Sequence, residues 1–150
     1  MKVATIGDIH GTTKFLECYK NIQETDSDVE KIIVLGDWFD PYVDIDFDTM
    51  IERYNEFVKI WKSDDRIISI LGNHDLAGYI ISNDSTNRTL RFGKMRKQLR
   101  EVIEPNLPES YLTYKIGDYM FSHAGVSQDW LNDIGEIPDC NYVEDIMNCK

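Results

Sequence analysis

Four times along the chain a short apolar run stops and gives way to Asp, Asn or His. The runs are "VATIGDIHG" at residues 3–11, "KIIVLGDWFD" at 31–40, "RIISILGNHD" at 66–75 and "YMFSHAG" at 119–125. Short apolar runs rich in β-branched residues and bounded by glycine read as buried strands. Glycine lets the backbone turn sharply at the strand end and approach a ligand closely. Polar groups at a buried strand tip are costly unless something binds them. In open α/β sheets, ligands gather beyond the carboxyl ends of the strands. Four strand ends are therefore expected to converge on one spot.

Between the runs the apolar spacing becomes helical. Strands are expected at residues 2–7, 31–35 and 66–71. Phe15, Leu16, Tyr19 and Ile22 place a helix over 14–23, capped by Thr12 or Thr13. Met50, Ile51, Tyr54, Phe57, Val58 and Trp61 make one stripe on a helix over 49–62. A further helix covers much of 89–102 and ends before Pro105. "YLTYKIGDYMFS" has Gly117-Asp118 between two apolar runs, a hairpin signal. Residues 127–134 suit a short helix, and nothing regular is assigned after Pro138. Strands alternating with helices give βαβ units and a mainly parallel sheet, to which the hairpin adds antiparallel strands. The expected class is α/β with a mixed sheet.

A chain of 150 residues with 42% apolar content is one domain with a real core, spanning residues 1–150. Its net charge of −11 argues against a nucleic-acid or anionic-membrane surface, which needs a basic face. The acidic run "DPYVDIDFD" mimics the start of a calcium loop through Asp44, Asp46 and Asp48. It lacks the required glycine, and no Glu closes it, so these acids read as leading into and capping the 49–62 helix. One stretch breaks the acidic trend: "RTLRFGKMRKQLR" at 88–100 holds six basic residues in thirteen. It reads either as a solvated helix face or as a patch that meets a substrate's phosphates. Cys18, Cys140 and Cys149 are scattered, without a CxxC pair, and read as reduced. With no signal-peptide pattern and no run of membrane-spanning length, a cytoplasmic location is expected.

The polar residues at the strand ends carry metal chemistry. Asp8, His10, Asp37, Asn73 and His123 are oxygen and nitrogen donors, suited to Mn, Fe, Zn or Ni rather than a soft metal. A two-metal centre needs a bridging carboxylate. Asp37 fits that place, with Asp8 and His10 completing one ion and Asn73 and His123 the other. His74 is then left to face the substrate as a general acid, and Asp40 to orient it. A carboxylate holding a histidine fixes its tautomer and raises its basicity.

These motifs resemble the calcineurin-like metallophosphoesterase superfamily. Its pattern of D-x-H, G-D-x-x-D, G-N-H-D/E and H-x-G appears as "GDIHG", "GDWFD", "GNHD" and "HAG", in order from Asp8 to Gly125. "GNHDL" and "HAGV" look closest to the branch of phosphoprotein phosphatases and symmetrical dinucleoside-tetraphosphate hydrolases. The resemblance implies an αββα fold, a β-sandwich flanked by helices. It implies two divalent ions at the strand ends, Mn or Fe being expected and Zn or Ni the alternatives. It implies hydrolysis of phosphate esters or nucleotide phosphoanhydrides by attack of a metal-bound hydroxide. Asn73 and His74 are also expected to touch the substrate, which is a phosphorylated small molecule, nucleotide or phosphoprotein.

Two departures shape that expectation. The branch has Arg-Gly after the second Asp of "GDxxD", where this chain has Pro41-Tyr42. Without that Arg, phosphoprotein substrates are disfavoured. The family also draws a further metal-binding His from a later "GH" segment, which this sequence does not contain. A weakened second metal site and missing later strands are the expectation. The competing reading is a degenerate, non-catalytic metal-binding protein with a regulatory or interaction role.

Overall fold

Parallel strands cannot be joined by a tight turn, so each pair needs a crossover, usually helical. In the computed structural model, which describes residues 1–80, 95–125 and 140–142, this is how the chain begins. Strands β1 (Val3–Ile6), β2 (Lys31–Val34) and β3 (Ile67–Ser69) pair in parallel in the order β1-β2-β3. Helix α1 (Lys14–Thr25) joins the first pair and α2 (Phe47–Ser63) the second. Ile32 and Val34 of β2 join the main core, while Ile33 between them joins a second cluster. A strand buried on both faces has no polar alternation, hence the unbroken apolar runs.

Phe15 and Ile22 of α1, with Met50, Tyr54, Phe57 and Trp61 of α2, fill the main core. Trp38, just past β2, stacks on Phe57 with ring centres 4.0 Å apart. On the other face, Ile33, Ile68 and Ile70 pack against Tyr111, Tyr114, Ile116 and Phe121. These belong to β4 (Tyr111–Ile116) and β5 (Tyr119–Ser122), an antiparallel hairpin turned at Gly117, whose φ is 58°. Strand β6 (Cys140–Tyr142) pairs antiparallel with the other edge of β4. Among the described residues the expected mixed sheet is thus two three-stranded sheets, one parallel and one antiparallel, joined by a bridge at Ile70 and Tyr111. Beside the bridge, Leu71 N donates to the Tyr111 carbonyl at 2.9 Å.

The helix ends differ from the expected ones for local reasons. Helix α2 starts two residues early because Asp46 caps it, accepting from Thr49 N at 2.8 Å. Thr13 stands at the N-cap of α1 but makes no capping bond, its backbone being helical rather than extended, and its hydroxyl donates to Glu17 at 2.6 Å. Thr12 Oγ1 instead accepts from Lys14 N at 3.3 Å. Helix α3 (Asn73–Ile80) was not expected at all and begins directly at a strand-end motif. Helix α4 (Arg96–Ile103) runs into a 3-10 turn, Glu104–Glu109, with Pro105 in its first turn, where a missing N–H costs nothing. Residues 89–94 of the expected third helix, and the short helix at 127–134, lie outside the described residues. At the described end of the basic run, Lys97 and Arg100 are exposed and pair with Glu101 and Glu104 one turn on. Among the described residues no helix is long and apolar enough to cross a membrane.

Candidate metal centre

Beyond β1 the chain alternates: Asp8 is exposed, Ile9 is wholly buried in the core, and His10 is buried but polar. Burying Ile9 leaves its two neighbours to turn toward the strand ends. His10 N donates to the Asp37 carbonyl at 2.6 Å and Gly11 N to that of Trp38 at 2.7 Å, lacing the ends of β1 and β2 together. Four non-glycine residues in the described parts have positive φ: Asp8 at 54°, His10 at 46°, Asp37 at 53° and Asp40 at 67°. The left-handed region is uphill for residues with a Cβ. Such strain persists where the surroundings over-determine it, typically at functional sites. All four are residues that the motifs single out.

The ends of β2 and β3 touch with no side chain between them. A Cβ on Gly36 would lie 2.2 Å from Gly72 N, and one on Gly72 would lie 2.0 Å from Asp37 Oδ1. Only glycine fits at either place. Asp75 locks the contact from beneath. Its Oδ2 accepts from Asp37 N at 2.8 Å and from Gly72 N at 2.9 Å, and its Oδ1 from Trp38 N at 2.8 Å. It is 1% exposed. Burial pushes its carboxyl up to about 6, against the three N–H donors that pull it down.

Asp37 is the hub. Its Oδ1 accepts from His74 N, in the first turn of α3, at 3.0 Å. Its Oδ2 faces three imidazoles: His123 Nε2 at 3.2 Å, His10 Nε2 at 3.8 Å and His74 Nε2 at 4.0 Å. The outer nitrogens of two of these rings are committed to backbone. His10 Nδ1 lies 3.1 Å from the carbonyls of Phe39 and Asp40, and His123 Nδ1 lies 2.6 Å from that of Leu35. A carbonyl only accepts, so each Nδ1 carries a proton, and each ring in its neutral form presents a lone pair inward from Nε2. Backbone carbonyls behind metal-binding histidines set the tautomer in this way.

The Nε2 of His123 consequently sits 3.0 Å from Asn73 Oδ1 and 3.2 Å from Asp37 Oδ2, three lone-pair atoms turned on one another. Bare acceptors repel, and a shared cation relieves them. Ligating atoms of Asp8, His10 and Asp37 form a second group, all within 4.8 Å of one another. The donor set therefore fits hard or borderline divalent cations on either side of Asp37. Asp40 lies behind His74, its Oδ2 3.0 Å from Nδ1. His74 Nδ1 does not complete a hydrogen bond there, so the contact is chiefly electrostatic. All seven residues singled out from the sequence, Asp8, His10, Asp37, Asp40, Asn73, His74 and His123, fall in one neighbourhood.

A family model described as calcineurin-like phosphoesterase matches residues 1–148. The chain belongs to that family. No curated protein and no solved structure matches it. Calcineurin-like phosphoesterases typically bind divalent metals and hydrolyse phosphoester bonds, so phosphorylated substrates follow in general terms.

Asp75 has a part in the site that sequence reasoning missed. The signal was its place as the last residue of "GNHD", a motif position that enters the resemblance without a role of its own. On the Asn73 and His123 side lies a cavity of about 360 Å³, walled by Leu71, Leu76, Leu112 and Ser122 besides those two.

Proposed function

We propose that the chain hydrolyses phosphate esters of small molecules or nucleotides, using two divalent ions. Asp8, His10 and Asp37 would hold one ion, and Asp37, Asn73 and His123 the other. Asp37 is shared. The second ion meets a neutral amide where the first meets a second carboxylate, so its site is the weaker. When bound, the ions supply Lewis-acid charge to phosphate oxygens and acidify a water. The two sheets, packed through Ile33, Ile68 and Ile70 against the β4–β5 hairpin, are read as the halves of a sandwich.

His74 is the proposed general acid. Its backbone N–H fixes Asp37, its Nδ1 leans on Asp40, and its Nε2 points toward the metal-binding atoms. That leaves Nε2 to deliver a proton to the leaving-group oxygen, and Asp40 to stabilise the ring while it is charged. This arrangement of Asp40 behind His74 is the observation that carries the reading. The absence of Arg after Asp40 favours small substrates over phosphoproteins.

His74→Asn should leave metal content close to normal. It should lower turnover by roughly 10²–10⁴-fold on an alkyl phosphate, the usual reach of general acid catalysis. On an activated aryl ester, whose leaving group needs no proton, the loss should shrink. Equal losses on both substrates would remove the proton-donor role. Bound metal with no turnover under any divalent ion would favour a non-catalytic protein instead.

A further inference from the structure

A large aromatic side chain stands in the open at the rim of this centre. Tyr42 is 77% exposed, although the six residues before it, 36–41, are all buried. Val43 beside it is 55% exposed. Single exposed apolar residues are common on protein surfaces and need no explanation. The position of Tyr42 is what distinguishes it. Its ring centre lies 4.3 Å from that of His10, tilted by 50°, and 6.4 Å from that of His74, nearly edge-on.

The loop that carries Tyr42 is held in place. His10 Nδ1 donates to the carbonyls of Phe39 and Asp40, and Asp40 is fixed in a left-handed conformation at φ 67°. Pro41 is buried, and Ile45 N closes the turn onto the Val43 carbonyl at 2.9 Å. Tyr42 is thus a rigid ring with a bare face, placed beforehand rather than recruited. A tyrosine ring gives broad contact area at low entropic cost because only two torsions are fixed.

We propose that Tyr42 is a specificity residue that stacks on a planar aromatic ring in the substrate's leaving group. The proposal rests on the reading of His74 as the proton donor. A leaving group protonated by His74 departs past His74, and Tyr42 stands over that side. The cavity by Asn73 and His123 is lined by neither His74 nor Tyr42. The shared ligand chemistry is a phosphate ester with a flat π face, carried by a nucleobase or by an aryl group. Stacking of a base on an aromatic side chain depends on the face and not on hydrogen bonding. The phenol hydroxyl of Tyr42 is not needed.

Binding of three probes to the manganese-loaded protein tests this by calorimetry: adenosine 5′-monophosphate, phenyl phosphate and glycerol phosphate. Tyr42→Ala should weaken the ring-bearing probes by roughly 5- to 100-fold, the range of one aromatic stack. Glycerol phosphate should change less than about twofold under the same substitution. Tyr42→Phe should keep wild-type affinity for all three. A loss confined to the nucleotide assigns the face to a nucleobase, and a loss confined to phenyl phosphate assigns it to an aryl ester. An equal loss on all three, or a matching loss of bound manganese, would mean that Tyr42 only props His10, and would overturn the proposal. Ring-dependent binding without turnover of any probe would support Tyr42 and instead sink the phosphoesterase reading.

Discussion

At the residue scale, the acid that organises the site is not itself one of the expected ligands. Asp75 holds three backbone N–H groups with two oxygens, and those N–H groups belong to the two strand ends that meet at Asp37 and Gly72. Asparagine has the same shape, but one oxygen becomes an NH₂ facing donors. Asp75→Asn should therefore leave at least one buried donor unsatisfied, at about 1–3 kcal/mol. Thermal unfolding should register the loss. Metal titration should show weaker binding as well, because Asp37 N and Trp38 N fix the backbone of the hub. Unchanged melting and unchanged metal affinity would mean that the strand ends hold themselves together. Asp37 shows the complementary economy: one oxygen is fixed by α3 and the other is left to three histidines, so a single side chain sets the spacing of the centre.

At the scale of elements, strand ends and helix starts share the work unequally. Asp46 caps α2 through Thr49 on the exposed side of the molecule. Asp46→Ala should lower the melting temperature slightly and leave activity as it is. Gly72→Ala forces a carbon to within 2.0 Å of Asp37 Oδ1 and should abolish metal binding while the helices persist, as circular dichroism with metal analysis would show. If the alanine variant bound metal normally, the close approach of β2 and β3 would not be what shapes the site. Both strands and both long helices were legible because each buries a continuous face: Phe57 and Trp61 repeat at helical spacing, and Ile32 to Val34 run unbroken. The site residues were legible because Asp and His rarely end a buried strand without reason. Helix α3 was not, since Asn73, His74 and Asp75 look like loop residues until the His74 backbone N–H is seen to face Asp37. Nor was the missing capping bond of Thr13, whose backbone is helical where a capping residue is extended. The split into two sheets came only from the resemblance, because a bridge of one residue pair at Ile70 and Tyr111 leaves no trace in periodicity.

At the scale of the whole molecule, the candidate metal centre lies at the carboxyl ends of β1 to β3, and a polar knot ties the opposite end. Just before β3, Arg66 Nη2 and Nε reach Asp64 Oδ2 and Oδ1 at 2.6 and 2.9 Å, and Arg66 Nη1 donates to the Val29 carbonyl at 3.2 Å. Tyr19 of α1 donates to Asp64 Oδ2 at 2.9 Å. The knot therefore joins α1, the end of α2 and the approaches to β2 and β3. The Arg66 guanidinium, helped by the Arg66 backbone N–H and the Tyr19 hydroxyl, holds the Asp64 carboxyl at about 2, down from 3.8. A carboxyl depressed in the folded state binds its proton more readily when unfolded. Its stabilisation is thus full above pH ~4 and fades as pH falls toward ~2. The pair is partly open to solvent, with Arg66 25% exposed, so about 1 kcal/mol is the expected scale. Asp64→Asn should lose that amount at pH 7, and its stability should fall less steeply than the wild type's between pH ~4 and ~2. Urea unfolding at a series of pH values measures both. Because the knot and the metal centre sit at opposite ends of the parallel sheet, metal affinity at pH 7 should not follow. A parallel loss of metal in Asp64→Asn would show that the two ends are coupled through β3, and that the site depends on how the strand is anchored at its start.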